Sequence, residues 1–160
     1  LALPVYLQKH FSLCVQNHTE QFGQEISIAD IWSLFRQQYG LQSEPVLRLQ
    51  DYGFVAEGGQ FHAQIASVDG EENLRGKGSG IIAAWVHALS QWLDQDVSVL
   101  HYDEHSLGQT TQSQAVAYVA CQFDGGAPVY AVAIEQDASK AALQAVLNAV
   151  AQVRELKSVP

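Results

Sequence analysis

The segment that decides the fold is residues 60–89, "QFHAQIASVDGEENLRGKGSGIIAAWVHAL". It begins with a strict alternation in which Phe61, Ala63 and Ile65 face one side and polar residues face the other. This two-residue period predicts a half-buried strand, and the stretch after the Asp-Gly turn predicts a further short strand. The first half of the segment is therefore a strand–turn–strand unit.

The same segment changes from strand to helix at "GKGSG", residues 76–80. Ser79 is the predicted N-cap, because its hydroxyl can accept a hydrogen bond from an N–H group of the first helical turn. Apolar residues then recur with helical spacing, which predicts an amphipathic helix. The residues of its apolar face are Ile82, Trp85, Val86, Leu89 and Leu93.

The order strand–strand–strand–helix occurs twice along the chain. In the second copy, "DVSVLHYDEH", "SQAVAYVACQFDGG" and "PVYAVAIEQ" precede a helix that Asp137 is predicted to cap. Unit one spans residues 46–94 and unit two spans residues 97–155, which predicts an α+β fold of two pseudo-repeated βββα units. Because one unit leaves a sheet face thinly covered, we expect the units to pack on each other or on a second chain.

A helical segment precedes the repeat. Pro4 suits a first helical turn, Ser27 begins a capping-box-like second helix, and Gly40 ends that helix. We therefore expect a helical linker over residues 1–44 and a compact domain over residues 45–157. The chain starts without Met, and we expect it to be part of a longer protein.

Composition and charge exclude several classes of function. The formal net charge is −9, which argues against nucleic acid and anionic membrane as partners, since both require a basic surface. No apolar run is long enough to cross a bilayer. Cys14 and Cys121 match no metal or redox spacing and predict reduced thiols in a cytoplasmic protein.

The glycine-rich turn has two interpretations. As a site, its backbone N–H groups at a helix N-terminus favour an anion. As structure, it is a tight turn that needs glycine. No Lys-Ser/Thr pair follows the last glycine, and the surrounding pattern is not βαβ, so neither a P-loop nor a dinucleotide fingerprint is present.

A second candidate site is "HYDEHS", residues 101–106. On a strand, His101, Asp103 and His105 share one face, and such side chains can bind zinc or iron. The competing interpretation is a solvated strand face with Tyr102 inside against the core. Ser, His and acidic residues follow no nucleophile-elbow motif, so the sequence does not indicate hydrolysis.

The order of these motifs resembles the C-terminal regulatory domain of the 2-isopropylmalate synthases. The matching segments are Gly-x-Gly-x-Gly before "IIAAWVHAL", then "VLHYDEH", "QAVAYV" and "YAVAIEQDASKAALQAVLNAV". The N-terminal segment is also similar to the end of the linker in that family. It carries the family's pattern at Leu3, Pro4, Leu7, Gln8, Phe11, Ser12, Val15 and Gln16.

The resemblance implies a division of labour between domains. In that family an N-terminal (β/α)8 barrel holds a divalent metal and condenses acetyl-CoA with 2-oxoisovalerate, an acyl transfer. The regulatory domain dimerises and binds L-leucine between its two units for feedback inhibition of leucine biosynthesis. The barrel is absent here, so this chain alone is expected to be a homodimeric regulatory module without catalysis and without a cofactor of its own.

The resemblance also implies an effector site. The carboxylate would meet the amides at the turn, the ammonium would meet backbone carbonyls or Asp137, and apolar residues would enclose the isobutyl group. The residues carried over from the family's pattern are Gly78, Ser79, Gly80, Ile82, Ala83, Tyr102, Ser106, Ser113, Ala115 and Ile134. Asp137 is added for its carboxylate, and the amides of residues 137–139 are a second place for the ligand's carboxylate.

The chain departs from the family near the last helix. Ala131 and Ala133 stand where the family often has glycines, and Glu135 and Gln136 stand where a Pro often follows. Added methyl groups and a carboxylate there can reshape the pocket, so isoleucine, the effector of the related citramalate synthases, is a second candidate beside leucine. Two further hypotheses are a dimerisation module with a degenerate pocket and a metal-dependent enzyme centred on the β-strand histidines.

Overall fold

The computed structural model describes residues 1–23, 25–41, 44–108 and 113–158. Within these ranges the chain forms four helices and six strands, in the predicted order of a helical segment followed by two βββα units. The elements are α1 (Val5–Phe22), α2 (Ile28–Gln38), β1 (Arg48–Val55), β2 (Gln60–Ser67), β3 (Gly70–Lys77), α3 (Ile81–Leu93), β4 (Val97–Leu107), β5 (Gln114–Phe123), β6 (Val129–Glu135) and α4 (Ala138–Ser158).

The two helices of the N-terminal segment begin or end next to the Pro, Ser and Gly residues that the sequence indicates. Pro4 precedes α1, which ends at Phe22 and is followed by Gly23 in a left-handed conformation (φ 64°). The Ser27 hydroxyl accepts a hydrogen bond from the N–H of Asp30 at 3.1 Å and caps α2. Gly40, with φ 72°, follows the end of α2, because a left-handed residue releases the chain from the helix.

Each unit is an antiparallel three-stranded sheet whose strands follow chain order. The two sheets also share an irregularity in the hydrogen-bonded pairing of their first strands. The first strand of unit one shifts register between Leu49 and Asp51, and the first strand of unit two shifts between Val99 and His101. Both shifts insert one residue near the start of the strand, so they indicate that the units share a backbone plan although their residues differ.

One large core joins the two units. It contains the inner faces of both sheets together with α3 and α4. Helix α4 lies deepest, since every residue from 141 to 150 is buried. Among the described residues, Gln144 and Asn148 are the two polar side chains in the buried class.

A second cluster covers the outer face of the second sheet. Leu7 from α1 and Phe35 from α2 pack there against Val116, Tyr118 and Val132. The outer face of the first sheet has no such cover in the described part of the chain, and its His62 is exposed. The helical segment therefore belongs structurally to unit two.

Candidate functional site

The glycine-rich turn separates into two parts with different roles. Helix α3 passes so close to β3 that a Cβ on Gly76 would lie 2.3 Å from the carbonyl oxygen of Ala84. A Cβ on Gly78 would lie 2.5 Å from the Ala84 nitrogen. Real side chains do not fit at such distances, so helix–strand packing requires glycine at both positions.

Gly80 has no such structural reason. An added Cβ would meet nothing within 4 Å, and the residue has an extended backbone (φ −149°, ψ 173°) that any residue adopts. It is the N-cap of α3, and its carbonyl accepts the first helical hydrogen bond from Ala84 at 3.0 Å. The prediction that Ser79 caps the helix is wrong, because the chain reaches helical geometry one residue later.

The start of α3 therefore presents open main-chain donors. No side chain caps it, and the N–H groups of Ile81, Ile82 and Ala83 precede the first helical bond. First-turn N–H groups and the helix dipole together attract an anion. The space beside Gly80 lets a ligand approach these donors.

The start of α4 occupies the matching place in unit two but is closed by its own side chains. The Asp137 carboxylate accepts a hydrogen bond from the N–H of Lys140 at 2.7 Å, which confirms the predicted cap. Partial burial, followed by the nearby Asp137 carboxylate, raises the pKa of the Tyr52 hydroxyl on β1. The Lys140 ammonium lies 3.7 Å from the carboxylate of Glu135.

Strand β4 carries two of the predicted effector residues on one face. Tyr102 pairs with Val119 and Ser106 pairs with Ala115, so Tyr102 and Ser106 lie on the face of the sheet that packs against α3 and α4. Tyr102 is 39% exposed and its hydroxyl donates to Glu104. The interpretation that Tyr102 lies inside against the core is therefore wrong, because a side chain exposed to this extent on the edge strand β4 is not enclosed by the core.

The sheet separates two residues that the resemblance placed around one ligand. Ala115 lies in the core between the sheets, whereas Ile134 packs into the cluster on the outer face with α1 and α2. Ser113 is half-buried just before β5. Ala131 and Ala133 are buried against the core, so their methyl groups fill the space beneath α4.

The histidines of β4 are not arranged as a metal site. His101, Asp103 and His105 share a face as predicted, but residues four apart on a strand are separated by about 13 Å. His101 stacks on Tyr6 at 4.7 Å between ring centroids, and His105 Nε2 lies 2.9 Å from the Tyr118 hydroxyl. Within the described ranges, no three His, Cys, Asp or Glu side chains converge on a point where an ion could bind.

Two cavities lie away from the predicted residues. One of about 390 Å³ is lined by Pro45, Val46, Arg48 and the turn after β2. Another of about 370 Å³ lies between α1 and α2, beside His18. Neither has a glycine-rich turn or the start of α3 or α4 among its lining residues.

Sequence reasoning missed a set of side-chain amides on α4. Gln144, Asn148 and Gln152 recur every four residues and bond main-chain groups at the edges of both sheets. The signal was present as an i, i+4, i+8 series of amides on a helix otherwise rich in Ala, Val and Leu. It was missed because the same spacing also describes a solvent-facing stripe.

Comparison with known proteins gives these elements a family. The sequence model of the LeuA allosteric (dimerisation) domain matches residues 25–154, which includes α2 and both βββα units. The chain belongs to this family. The match confirms the resemblance to the regulatory domain of the 2-isopropylmalate synthases.

Curated relatives agree along almost the whole chain. The 2-isopropylmalate synthase of Marinomonas sp. (strain MWYL1) is 38% identical over 153 residues, which are 93% of this chain and 27% of that protein. Those of Ralstonia pickettii (strain 12J) and Pseudomonas entomophila (strain L48) are 34% and 32% identical, over 94% of this chain and 27% of theirs. The chain thus spans about a quarter of the length of these relatives. None of the described helices is both long and apolar enough to span a membrane.

Proposed function

We propose that this LeuA-type domain is the regulatory domain of a 2-isopropylmalate synthase and binds L-leucine at the start of α3. The observation that carries the proposal is the contrast between the two helix starts. Gly80 leaves α3 uncapped and sterically open, whereas Asp137 fills the same place on α4. Open amides without a partner of their own favour a carboxylate supplied by a ligand.

The side-chain end of the ligand is assigned to the same elements. Ile82 on α3 is half-buried, and Tyr102 and Ser106 on β4 face the same side of their sheet. Burying an isobutyl group contributes roughly 1.5–3 kcal/mol. A Kd of about 10 µM requires about 7 kcal/mol, so the bonds to the carboxylate and the ammonium must supply more than half.

The ammonium of the ligand needs a carboxylate or carbonyl partner. The Asp137 carboxylate already accepts the capping hydrogen bond from the N–H of Lys140. Glu104, which is exposed on β4, accepts from the Tyr102 hydroxyl, and its carboxylate keeps further acceptor positions. We assign Glu104 the ammonium and leave Asp137 as the cap of α4.

The proposal extends to the assembly. We propose that the domain works as a homodimer and inhibits a metal-dependent catalytic barrel elsewhere in a protein about four times as long, as the family's description and the relatives' length suggest. Both described cysteines are free thiols, which agrees with the expected cytoplasmic location.

Isothermal titration with L-leucine, L-isoleucine and L-valine tests the proposal, and a thermal-shift series provides a second readout. Gly80→Asp places a carboxylate on the first-turn amides of α3 and is expected to weaken leucine binding at least tenfold. Ser139→Asp is the matched control, because it adds the same charge to the first turn of α4. Tighter binding of isoleucine would reassign the effector, and no binding of any of the three would refute the proposal.

A further inference from the structure

Three side-chain amides on α4 bond main-chain groups of both sheets, and we call them the amide ladder (Gln144, Asn148 and Gln152). Its first member reaches unit one. Gln144 Oε1 accepts a hydrogen bond from the N–H of Leu49, and its Nε2 donates to the carbonyl of Leu47, both at 2.9 Å. Leu47 and Leu49 lie at the start of β1, the edge strand of the first sheet.

The next two members reach unit two. Gln144 Nε2 also donates to Asn148 Oδ1 at 2.9 Å. Asn148 Nδ2 donates to the carbonyl of Val132 at 2.9 Å, and Gln152 Nε2 donates to that of Tyr130 at 3.0 Å. Both carbonyls belong to β6, the edge strand of the second sheet. The ladder therefore fastens the edges of the two sheets to one helix.

The end of the helical segment rests on the same place. The carbonyl of Tyr39 accepts a hydrogen bond from the N–H of Val132 at 3.1 Å. Gly40 lies so close to α4 that an added Cβ would be 3.3 Å from Cβ of Asn148. The end of α2 therefore contacts α4 at Asn148, and Leu47, just before β1, bonds α4 at Gln144.

A direct bond connects the ladder to α3. The indole Nε1 of Trp85 donates to the carbonyl of Leu143 at 3.0 Å, in the buried core. Trp85 lies in the first turn and a half of α3, and Leu143 is adjacent to Gln144. Hydrogen bonds and the short stretches of main chain between them therefore link α3 through α4 to the strand edges and to the end of α2.

We propose that the amide ladder is a positioning device that transmits the state of the α3 start to the helical segment. This inference rests on the proposed function for the identity of the signal. Gln144 and Asn148 are buried, and each of their side-chain oxygen and nitrogen atoms has a hydrogen-bond partner, so a shift of α4 that breaks one of these bonds leaves a polar atom unpaired in the core. A ligand that moves α3 therefore moves α4, and α4 carries the end of α2 with it.

Hydrogen exchange of the 160-residue chain, with and without saturating L-leucine, tests the device. In the unmodified chain leucine is expected to change exchange in α1 and α2 at least threefold. Gln144→Met and Trp85→Phe are expected to abolish that change while altering the leucine Kd by less than about threefold. Trp92→Phe is the matched control, since Trp92 lies on α3 but contacts Arg154 instead of Leu143.

The outcomes separate this inference from the proposed function. Suppose that leucine binds. Transmission through the ladder is refuted if leucine still changes hydrogen exchange in α1 and α2 in both Gln144→Met and Trp85→Phe. It is also refuted if leucine does not change exchange there in the unmodified chain. If no branched-chain amino acid binds, the proposed function fails, and the ladder is tested by hydrogen exchange of the unliganded proteins. Gln144→Met is then expected to exchange at least tenfold faster than the unmodified chain at the Leu49 N–H and in α2. Unchanged exchange rates would refute the ladder. If Gln144→Met does not fold, the test of transmission rests on Trp85→Phe, which keeps an aromatic ring in place.

Discussion

The starts of α3 and α4 occupy the same place in the two units and solve the same physical problem differently. Every helix begins with N–H groups that have no helical partner. In unit two the Asp137 carboxylate satisfies one of them, whereas in unit one Gly80 supplies no side chain. Unit one keeps the backbone plan of the repeat but omits the cap, and the proposed function assigns the ligand to this uncapped helix start.

The largest expected effect distinguishes the two kinds of glycine. Gly76→Ala places a methyl group 2.3 Å from the Ala84 carbonyl oxygen, so α3 must move away from β3. We expect a loss of about 3 kcal/mol in the free energy of unfolding, as for an overpacked core. Urea denaturation measures it. Gly80→Ala is the control and should change stability by less than about 0.5 kcal/mol; equal losses in both variants would contradict the division of the turn.

The second prediction removes the cap that unit two has. Asp137→Ala leaves the N–H of Lys140 without its partner and should lower the free energy of unfolding by about 1 kcal/mol. Tyr52→Phe removes the hydroxyl near this carboxylate and should cost less, because the ring still packs against the core. If Asp137→Ala were neutral in urea denaturation, the self-capped description of α4 would be wrong.

The third prediction gives unit one the cap that it lacks. Gly80→Asp is expected to raise the free energy of unfolding by about 0.5–1 kcal/mol, mostly because it restricts the unfolded chain at a backbone conformation that any residue adopts. The capping hydrogen bond to a first-turn N–H adds about a few tenths of a kcal/mol over glycine. The same variant should lose leucine binding. A more stable protein that binds less ligand separates a blocked site from damaged folding, whereas a less stable one would mean that Gly80 serves the fold.

The smallest expected effect concerns the covered outer face of the second sheet. Partial burial lowers the pKa of His10, whose Nδ1 lies 2.8 Å from the Tyr39 hydroxyl. Because the folded-state pKa is below the unfolded value near 6.5, the contribution of His10 is fully present above about pH 6.5 and is lost as the pH falls towards the folded-state pKa.

Urea midpoints at about pH 7.5 and about pH 5.5, on either side of the unfolded-state pKa, check this prediction. His10→Gln removes the titrating group, so the drop in stability on acidification should be smaller in this variant than in the unmodified chain. His62→Gln, on the uncovered outer face of the first sheet, is the matched control and should follow the unmodified chain. Parallel behaviour of all three proteins would show that docking of α1 does not depend on the protonation of His10.

Much of the fold was predictable because it follows from short-range periodicity. The alternation at Phe61, Ala63 and Ile65 correctly placed these side chains in the core, and all three are at most 2% exposed. The caps at Ser27 and Asp137 were also predicted correctly, because a capping side chain acts within three residues of its own position. The repeat of βββα units follows from the order of these local signals.

The candidate site was less predictable because it depends on register and close approach. Ala115 and Ile134 were placed around one ligand. Because Val116 pairs with Ile134, however, Ala115 and Ile134 lie on opposite faces of the sheet. A shift of one residue in register exchanges the faces of a strand, and no local pattern fixes it. The same limit concealed the roles of Gln144 and Asn148, whose partners lie far away in the sequence.

By itself the sequence determined the elements, their order, most of their caps and the family, because each of these depends on residues close together in the chain. Only the tertiary structure decided that Gly76 and Gly78 serve packing while Gly80 stays open, that α1 and α2 cover unit two, and that the amides of α4 join both sheets. The physical reason is that steric contact and burial depend on which distant segments meet, and three neighbouring glycines look alike until a helix lies against two of them.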